Sequence, residues 1–207
     1  MTARTVKAPC HGAILAGGRG LRFGGAPKGL ARVGGVRIID RVAAALREAC
    51  DDLILVANDD SADTWLPGVR VVRDVRTGAG ALGGIHAALA SAADAALVLS
   101  WDSPFVPGGL LRTLRAAGER EDAAAVVPMS ASPWGFEPLC AWYGVQCRPA
   151  IERALDAGDL RSGAWQSAVR TVRIDVSAWG DPASLFFNVN TAEDLARAQE
   201  LVAAPRT

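Results

Sequence analysis

A glycine-rich, basic segment that follows a short apolar run constrains the fold of this 207-residue chain most strongly. Residues 12–16 are predicted to form a buried strand, and five glycines follow between residues 17 and 25. Glycines let the backbone approach a ligand closely and present N–H groups to anionic oxygens. Because open α/β sheets bind ligands just beyond the carboxyl ends of their strands, this order predicts a nucleotide site in an α/β fold.

Three cationic side chains in the same segment, Arg19, Arg22 and Lys28, supply the charge that a polyphosphate requires. The segment follows neither common phosphate-loop pattern. Walker A requires Gly-x-x-x-x-Gly-Lys-[Ser/Thr], whereas Gly29 follows Lys28 here, and the glycine spacing is too long for the dinucleotide pattern Gly-x-Gly-x-x-Gly. An ordinary glycine-rich turn with solvated cations is the alternative. Two arginines and a lysine so close together favour a nucleotide triphosphate site.

The composition argues against several other functions. Lysine and arginine number 22, and aspartate and glutamate also number 22, so neither nucleic-acid binding nor an acidic tail is indicated. Apolar stretches such as residues 95–99 are far too short to span a bilayer, and residues 1–10 lack the apolar part of a secretory signal. Four cysteines without Cys-x-x-Cys spacing predict reduced thiols rather than a zinc site. We therefore expect a cytoplasmic enzyme with no nucleic-acid or membrane partner.

Strands and helices are predicted to alternate along the whole chain. Strands are expected at residues 12–16, 53–57, 69–72, 95–99, 123–127, 138–142 and 171–176. Helices are expected at residues 36–50, 82–93, 110–117, 147–157 and 192–203, the last with a capping box from Thr191 and Asp194. The alternation predicts a single Rossmann-like domain over residues 1–207, with a flexible N-terminus at residues 1–10. It is α/β in class, a doubly wound, three-layer αβα fold with a mostly parallel sheet.

Acidic and amide side chains stand at three further positions where a strand ends or a helix begins. Asp102 follows the apolar strand at 95–99, where a lone carboxylate suits Mg²⁺, which keeps waters and substrate phosphates among its ligands. Taken alone, a turn or helix-entry role for Asp102 is equally open, but beside the glycine-rich segment the metal role is favoured. Asp74 follows the third predicted strand, and a surface turn is its alternative. Asn188 and Asn190 precede the last helix, where local turns or caps are the alternative.

Four blocks of the sequence, in order, resemble the molybdenum-cofactor guanylyltransferases. The first is Leu-Ala-Gly-Gly at residues 15–18 with Lys-Gly-Leu at 28–30, whereas the related cytidylyltransferases usually carry Leu-Ala-Ala-Gly. The second is Asp74 with the glycine-rich residues 78–85, and the third is Asp-Ser-Pro at 102–104. The fourth is Phe-Phe-Asn-Val-Asn-Thr-Ala-Glu-Asp-Leu at 186–195. The resemblance therefore spans most of the chain.

The resemblance implies an activity and a set of site residues. GMP would pass from GTP to molybdopterin carrying molybdenum, with Mg²⁺ as cofactor, and pyrophosphate would leave. Arg22, Lys28 and Asp102 would be catalytic, with Asp102 as the magnesium ligand and Asp74 on the guanosine. The residues implied to contact the nucleotide or metal are Leu15, Ala16, Gly17, Gly18, Arg19, Lys28, Asn58, Asp74, Gly84, Asp102, Asn188 and Asn190.

The sequence leaves two alternatives to this activity open, one enzymatic and one not. A related nucleotidyltransferase would use CTP or another phosphorylated acceptor. A non-enzymatic accessory protein of cofactor assembly would bind the nucleotide without turnover. Proteins of cofactor assembly, or molybdoenzymes that receive the product, are the partners to consider.

One departure from the family pattern concerns the acceptor. Glu137-Pro-Leu stands where the family usually has His-Pro or Gln-Pro, near the expected pterin site. We expect Glu137 to face the amino and amide donors of the pterin, since its charge would repel the acceptor phosphate. A solvated strand-entry residue is the alternative. Three cations either meet that phosphate or stay solvated, namely Arg148, Arg153 and Arg161.

Overall fold

A seven-stranded sheet organises the residues that the computed structural model describes, which are 9–17 and 27–203. The nine strands are β1 (Cys10–Leu15), β2 (Arg32–Val33), β3 (Val36–Arg37), β4 (Asp52–Val56), β5 (Arg70–Val72), β6 (Ala95–Ser100), β7 (Ala125–Pro128), β8 (Cys140–Gly144) and β9 (Thr171–Ile174). The large sheet has the order β5–β4–β1–β6–β8–β7–β9, and β2 pairs only with β3. Within the large sheet β8 runs antiparallel to both neighbours and the other pairs are parallel. The predicted mostly parallel sheet is confirmed.

Helices cover both faces of this sheet. They are α1 (Ile38–Arg47), α2 (Gly80–Ser91), α3 (Gly108–Arg120), α4 (Arg148–Asp156), the short α5 (Pro182–Leu185) and α6 (Ala192–Ala203). The helices α1 and α3 pack together on one face, and α2 and α4 on the other. Within the described residues, no helix combines the length and hydropathy needed to cross a membrane.

The central strands β1 and β6 are buried on both faces, as parallel strands between two helical layers must be. Ile14 and Leu97 belong to the core under α1 and α3, whereas Ala13 and Val98 belong to the core under α2 and α4. Each of these four side chains is fully buried. The alternation confirms the predicted doubly wound, three-layer arrangement.

The strand order places a topological switch point between β1 and β6. From β1 the chain moves outward to β4 and β5, then returns through α2 to β6 on the other side of β1. Ligands of open α/β sheets bind outside the carboxyl ends of the strands at such a point. The residues after Leu15 and after Ser100 therefore flank the crevice in which a ligand is expected.

The structure differs from the sequence prediction between residues 32 and 37. The helix expected from residue 36 begins at Ile38, and a two-residue hairpin precedes it, pairing Val33 with Val36. Gly34 and Gly35 form the turn with φ angles of 59° and 78°. Two positive φ angles are what a tight hairpin turn of this kind requires, and glycine adopts them without strain. The Val-Gly-Gly-Val pattern was therefore a hairpin signal.

The last helix begins as predicted. The backbone N–H of Asp194 donates to the hydroxyl of Thr191 at 3.1 Å, and the N–H of Thr191 donates to the carboxylate of Asp194 at 2.8 Å. This reciprocal pair is a capping box, and it satisfies two donors of the first turn. Residues 1–8 lie outside the described part, so the flexible N-terminus and the single domain over residues 1–207 stay predictions.

Candidate active site

The carboxyl end of β1 supplies the first part of the site. The carbonyl of Leu15 accepts from the N–H of Trp101 at 3.2 Å, and the N–H of Ala16 donates to the carbonyl of Val56 at 2.9 Å. These bonds fix the strand end between its neighbours. Gly17 comes next, is exposed, and has no atom within 4 Å of the place where a Cβ would stand. The site residues Gly18, Arg19 and Arg22 lie outside the described residues, and their roles stay predictions.

Lys28, Asp102 and Asn190 form a polar cluster beside this strand end. The Nζ of Lys28 lies 2.5 Å from Oδ2 of Asp102 and 2.6 Å from Oδ1 of Asn190. The side chains of Lys28 and Asp102 are each only 10% exposed. A buried charge requires a partner, and here the two opposite charges satisfy each other. Lys28, Asp102 and Asn190, predicted separately as site residues, are thus brought together.

Further hydrogen bonds hold the two asparagines and Asp102 in place. The hydroxyl of Ser100 donates to Oδ1 of Asp102 at 2.6 Å, and the carbonyl of Asp102 accepts from the N–H of Val189 at 2.9 Å. The hydroxyl of Ser103 donates to Oδ1 of Asn188 at 2.6 Å. Asn188 is therefore tied directly to the segment after β6, and Asn190 is held close to that segment by the bond of its neighbour Val189 to Asp102.

The carboxylate of Asp194 holds the backbone of Asn190, whose N–H donates to it at 2.9 Å. Hydrogen bonds from the backbone N–H groups of Asn190 and Thr191 lower the pKa of Asp194, and the nearby charge of Lys28 adds to this effect. The carboxylate that caps α6 thus also fixes the backbone that presents Asn190. The helix cap and the candidate site are one hydrogen-bonded unit.

The oxygen donors of this cluster fit a divalent cation. Mg²⁺ prefers oxygen ligands and is usually held by one or two carboxylates together with water and phosphate oxygens. The ammonium of Lys28 occupies the place between the oxygens of Asp102 and Asn190, as a stand-in for such a cation. Among the described residues, no group of three or more His, Cys, Asp or Glu side chains is placed to hold a metal. A magnesium ion here would therefore take most of its ligands from outside the protein.

A close approach of Gly29 to Trp101 fixes the spacing of Lys28 and Asp102. A Cβ on Gly29 would lie 2.3 Å from the ring of Trp101, so only glycine fits against this indole. Trp101 in turn stacks on Trp65, with ring centroids 5.2 Å apart. Gly29, the neighbour of Lys28, therefore packs on the ring of Trp101, the neighbour of Asp102. This contact brings the two partners of the ion pair together.

Asn58 and Asp74 form a second polar pair, at the carboxyl ends of β4 and β5. The amide of Asn58 donates to Oδ2 of Asp74 at 2.8 Å, and the N–H of Asp74 donates to Oδ1 of Asn58 at 3.0 Å. Gly84 lies inside α2 and faces Leu15. A Cβ built on Gly84 would lie 3.6 Å from the side chain of Leu15. The structure thus gives Gly84 a position against β1, and its contact with a nucleotide stays a prediction.

Comparison with known proteins agrees with this geometry. A sequence profile of the MobA-like NTP transferase domain matches residues 12–171, which include the strand end, Lys28, Asp74 and Asp102. The chain belongs to the MobA-like NTP transferase family. It is therefore a nucleotidyltransferase, and the resemblance noted from the four sequence blocks is confirmed.

Individual proteins and solved structures match this chain almost end to end. A protein of Nitrobacter hamburgensis named molybdenum cofactor guanylyltransferase is 35% identical over 204 residues, which cover 94% of this chain and 95% of that protein. A solved structure from Archaeoglobus fulgidus, described as molybdopterin-guanine dinucleotide biosynthesis protein A, has a TM-score of 0.77 at 28% identity and covers 93% of this chain and 98% of that one. A 4-diphosphocytidyl-2C-methyl-D-erythritol synthase from Anaerococcus prevotii has a TM-score of 0.72 over 96% and 97% of the chains. At 14% identity, this last likeness concerns the fold alone.

Beside the cluster this MobA-like chain has a cavity of about 130 Å³ that includes Glu137. Ser100, Ser103 and Asn188 also line it, so the cavity adjoins Asp102 and its partners. Glu137 is half-buried, and this burial raises the pKa of its carboxyl group, which a hydrogen bond from Ser130 only partly opposes. That Glu137 binds the acceptor stays a prediction.

The three arginines considered for the acceptor phosphate do not contact the described residues of the candidate site. Arg148 is 3.5 Å from Glu152 within α4, and Arg161 is paired with Asp159 at 2.7 Å. Arg153 is exposed. None of them lines the cavity beside Asp102. Their part in acceptor binding stays a prediction.

Ser100, Gly29 and Trp101 were not predicted as site residues. For Ser100 a signal existed, since it is a polar side chain at the end of the apolar strand that leads to Asp102. For Gly29 and Trp101 none existed, because the contact joins two segments that only the fold brings together.

Proposed function

We propose that this chain transfers a guanylyl group from GTP to molybdopterin carrying molybdenum, forming the guanine dinucleotide cofactor and pyrophosphate. The observation that carries the proposal is the buried cluster of Lys28, Asp102 and Asn190 at the switch point of the sheet. The name of the Nitrobacter hamburgensis relative, which matches over nearly its whole length, supports guanosine as the nucleoside and the molybdenum cofactor as the acceptor.

In the proposed reaction an oxygen of the acceptor phosphate forms a bond to the α-phosphorus of GTP. The bond from that phosphorus to the β-phosphate oxygen breaks, and its electron pair leaves on pyrophosphate. Such a displacement needs no protein nucleophile, so catalysis depends on positioning and on neutralising charge. Lys28 is the described cation closest to the reaction, because it reaches both Asp102 and Asn190. When bound, Mg²⁺ would neutralise phosphate charge, with Asp102 as its protein ligand, and the Lys28 ammonium, displaced from Asp102 by the metal, would then contact the phosphates.

The pair of Asn58 and Asp74 is proposed to select the base. Guanine donates from its N1–H and its N2 amino group, and a carboxylate accepts both. Asn58 donates to Oδ2 of Asp74, and no other side chain among the described residues donates to this carboxylate, so Oδ1 and the second acceptor site of Oδ2 are left for the two guanine donors. A cytosine would place an acceptor where guanine has a donor, which would repel this carboxylate. Under the proposal the protein acts in the cytoplasm and passes its product to a protein of cofactor assembly or to a molybdoenzyme.

Titration of the protein with each nucleoside triphosphate in the presence of Mg²⁺ tests this selection. We expect GTP to bind at least about tenfold more tightly than ATP, CTP or UTP, because a wrong base leaves the acceptors of Asp74 unpaired under the bound nucleotide. Asp74→Asn should remove most of the preference for GTP. The asparagine replaces one of the two acceptor oxygens by an NH₂ group, which cannot accept from the guanine N–H donors. Asp122→Asn changes an exposed aspartate before β7 and should leave the preference intact. Tightest binding of CTP would contradict the proposal and favour the cytidylyl alternative.

A further inference from the structure

The cavity beside Asp102 has walls of two different kinds. Trp134, Leu139 and Phe186 provide apolar surface, and Glu137 provides a carboxylate. Such a combination is typical of a small-molecule site, where apolar walls bind the body of a ligand and a few polar groups orient it. Roughly 150 Å³ of apolar cavity is enough to take up benzene. At about 130 Å³ this cavity is close to that size and is partly open to solvent, so it can take up one ring of a larger ligand whose remainder lies outside it.

Trp134 is held in place by its neighbours. Its ring lies 6.5 Å from the ring of Phe136, centroid to centroid. On another side, a Cβ on Gly163 would approach the Trp134 ring to 2.7 Å, so the indole packs directly on that glycine. The loop that carries Trp134 is closed by the hydroxyl of Ser132, which donates to the carbonyl of Phe136 at 2.6 Å. A fixed aromatic face of this kind is prepared for stacking on a planar ring.

Glu137 has an unsatisfied requirement for donors. Within residues 9–17 and 27–203, no lysine, arginine or histidine forms an ion pair with it, and its side chain accepts from Ser130. A desolvated carboxylate has room for several hydrogen bonds, and leaving them unmade is costly. The chemistry complementary to this group is a pair of adjacent N–H donors in one plane, as in a ring N–H beside an exocyclic amino group.

We propose that Glu137 and Trp134 form the binding site for the ring end of the acceptor, with Glu137 accepting from the N–H and amino groups of an aminopyrimidine-type ring that stacks on Trp134. The inference rests on the proposed function, which places an acceptor phosphate at Asp102. Ser100 and Ser103 lie between the two ends, lining the cavity while contacting Asp102 and Asn188. The negative charge of Glu137 keeps the phosphate at the other end, next to Lys28. Glu137 is thus a residue that determines specificity for the acceptor.

Steady-state kinetics of the transfer on Glu137→Gln test the assignment. Losing a hydrogen-bonded charge partner should raise the acceptor KM about 10- to 100-fold, while the KM for GTP changes less than twofold. Trp134→Leu should also raise the acceptor KM, since it removes the stacking face. The control is Glu121→Gln, which changes an exposed glutamate after α3 and should alter neither constant. An unchanged acceptor KM for Glu137→Gln, or a raised KM for GTP instead, would overturn the inference and leave the proposed function standing.

A second measurement tests the inference without turnover, so that it holds even if the protein does not transfer a guanylyl group. Unsubstituted pterin, added without nucleotide, should quench the tryptophan fluorescence of the wild-type protein and of Asp102→Asn alike, and bind more weakly to Glu137→Gln. Equal affinity for wild type and Glu137→Gln would overturn the inference. Correct folding of Glu137→Gln is checked by its thermal unfolding, which should be at a higher temperature than that of the wild type at pH 7.

The expected gain in stability has a definite pH dependence. The folded-state pKa of Glu137 is raised by burial, so its ionisation costs stability as the pH rises through that pKa. The gain of Glu137→Gln should vanish below the unfolded value of about 4.3. Cys140, the other titratable group affected by the Glu137 charge, stays protonated throughout this range because burial raises its pKa. A variant that unfolds below the wild-type temperature at pH 7 would contradict the cost of ionising this half-buried carboxylate.

Discussion

Asp102→Asn is expected to slow nucleotidyl transfer by about 10²- to 10³-fold, the usual cost of removing one preorganised electrostatic contact. The asparagine keeps the shape of the side chain and an oxygen that can accept from Lys28 and Ser100. It loses the negative charge that would hold Mg²⁺ and balance the buried ammonium. We therefore expect the far-ultraviolet circular dichroism spectrum to be unchanged while kcat falls at saturating GTP.

The matched control for this variant is Asp122→Asn, which removes the charge of an exposed carboxylate 3.9 Å from Arg170. Exposed ion pairs contribute little to stability, so this control should behave like the wild type in both assays. The kinetic comparison is made over a series of Mg²⁺ concentrations. If Asp102→Asn keeps near-wild-type turnover at saturating Mg²⁺, then Asp102 is not the residue that serves the metal.

Lys28→Met is expected to have two large effects, one on turnover and one on stability. Turnover should fall by about 10²- to 10³-fold, because the described cation nearest the reaction is gone. The folded state should lose about 3–5 kcal/mol, because the buried carboxylate of Asp102 is left without its partner. Mg²⁺ alone should restore much of this stability, since the place between Asp102 and Asn190 is then open to a cation.

The wild-type protein should respond much less to Mg²⁺ without nucleotide, because the ammonium of Lys28 already occupies that place. Thermal unfolding with and without Mg²⁺ measures the difference. Arg120→Met, which removes an exposed cation at the end of α3, is the control and should unfold like the wild type with either addition. Equal Mg²⁺ shifts for wild type and Lys28→Met would show that Lys28 and the metal do not share a place.

The central strands were the most predictable part of the fold. β1 is apolar from Gly12 to Leu15 and β6 is apolar from Ala95 to Leu99, a pattern that a parallel strand covered on both faces requires. The antiparallel direction of β8 was not predictable, since its orientation depends on pairing with β6 and β7 and leaves no local mark. The β2–β3 hairpin was missed although its Gly-Gly turn is a local signal. The helical periodicity through Ile39 and Val42 predicts a helix from residue 36, whereas α1 begins at Ile38 because the hairpin takes up the preceding residues.

The site was predictable residue by residue but not as a cluster. Lys28 and Asp102 are 74 residues apart in sequence, and Lys28 and Asn190 are 162 apart. Each was predicted at the same edge of the sheet from its place after a strand or before a helix. That their side chains bind one another depends on the contact of Gly29 with Trp101, which no pattern in either segment encodes.

The proposed guanylyl transfer is tested most directly by a turnover assay with purified protein, Mg²⁺, molybdenum-loaded molybdopterin and one nucleoside triphosphate at a time. Pyrophosphate release and the mass of the product are measured together. The account predicts that GTP alone gives both pyrophosphate and a guanine dinucleotide of the cofactor, in equal amounts. Transfer from CTP in place of GTP would contradict the choice of nucleotide. Binding of GTP with no pyrophosphate released would contradict catalysis itself and favour a nucleotide-binding accessory protein.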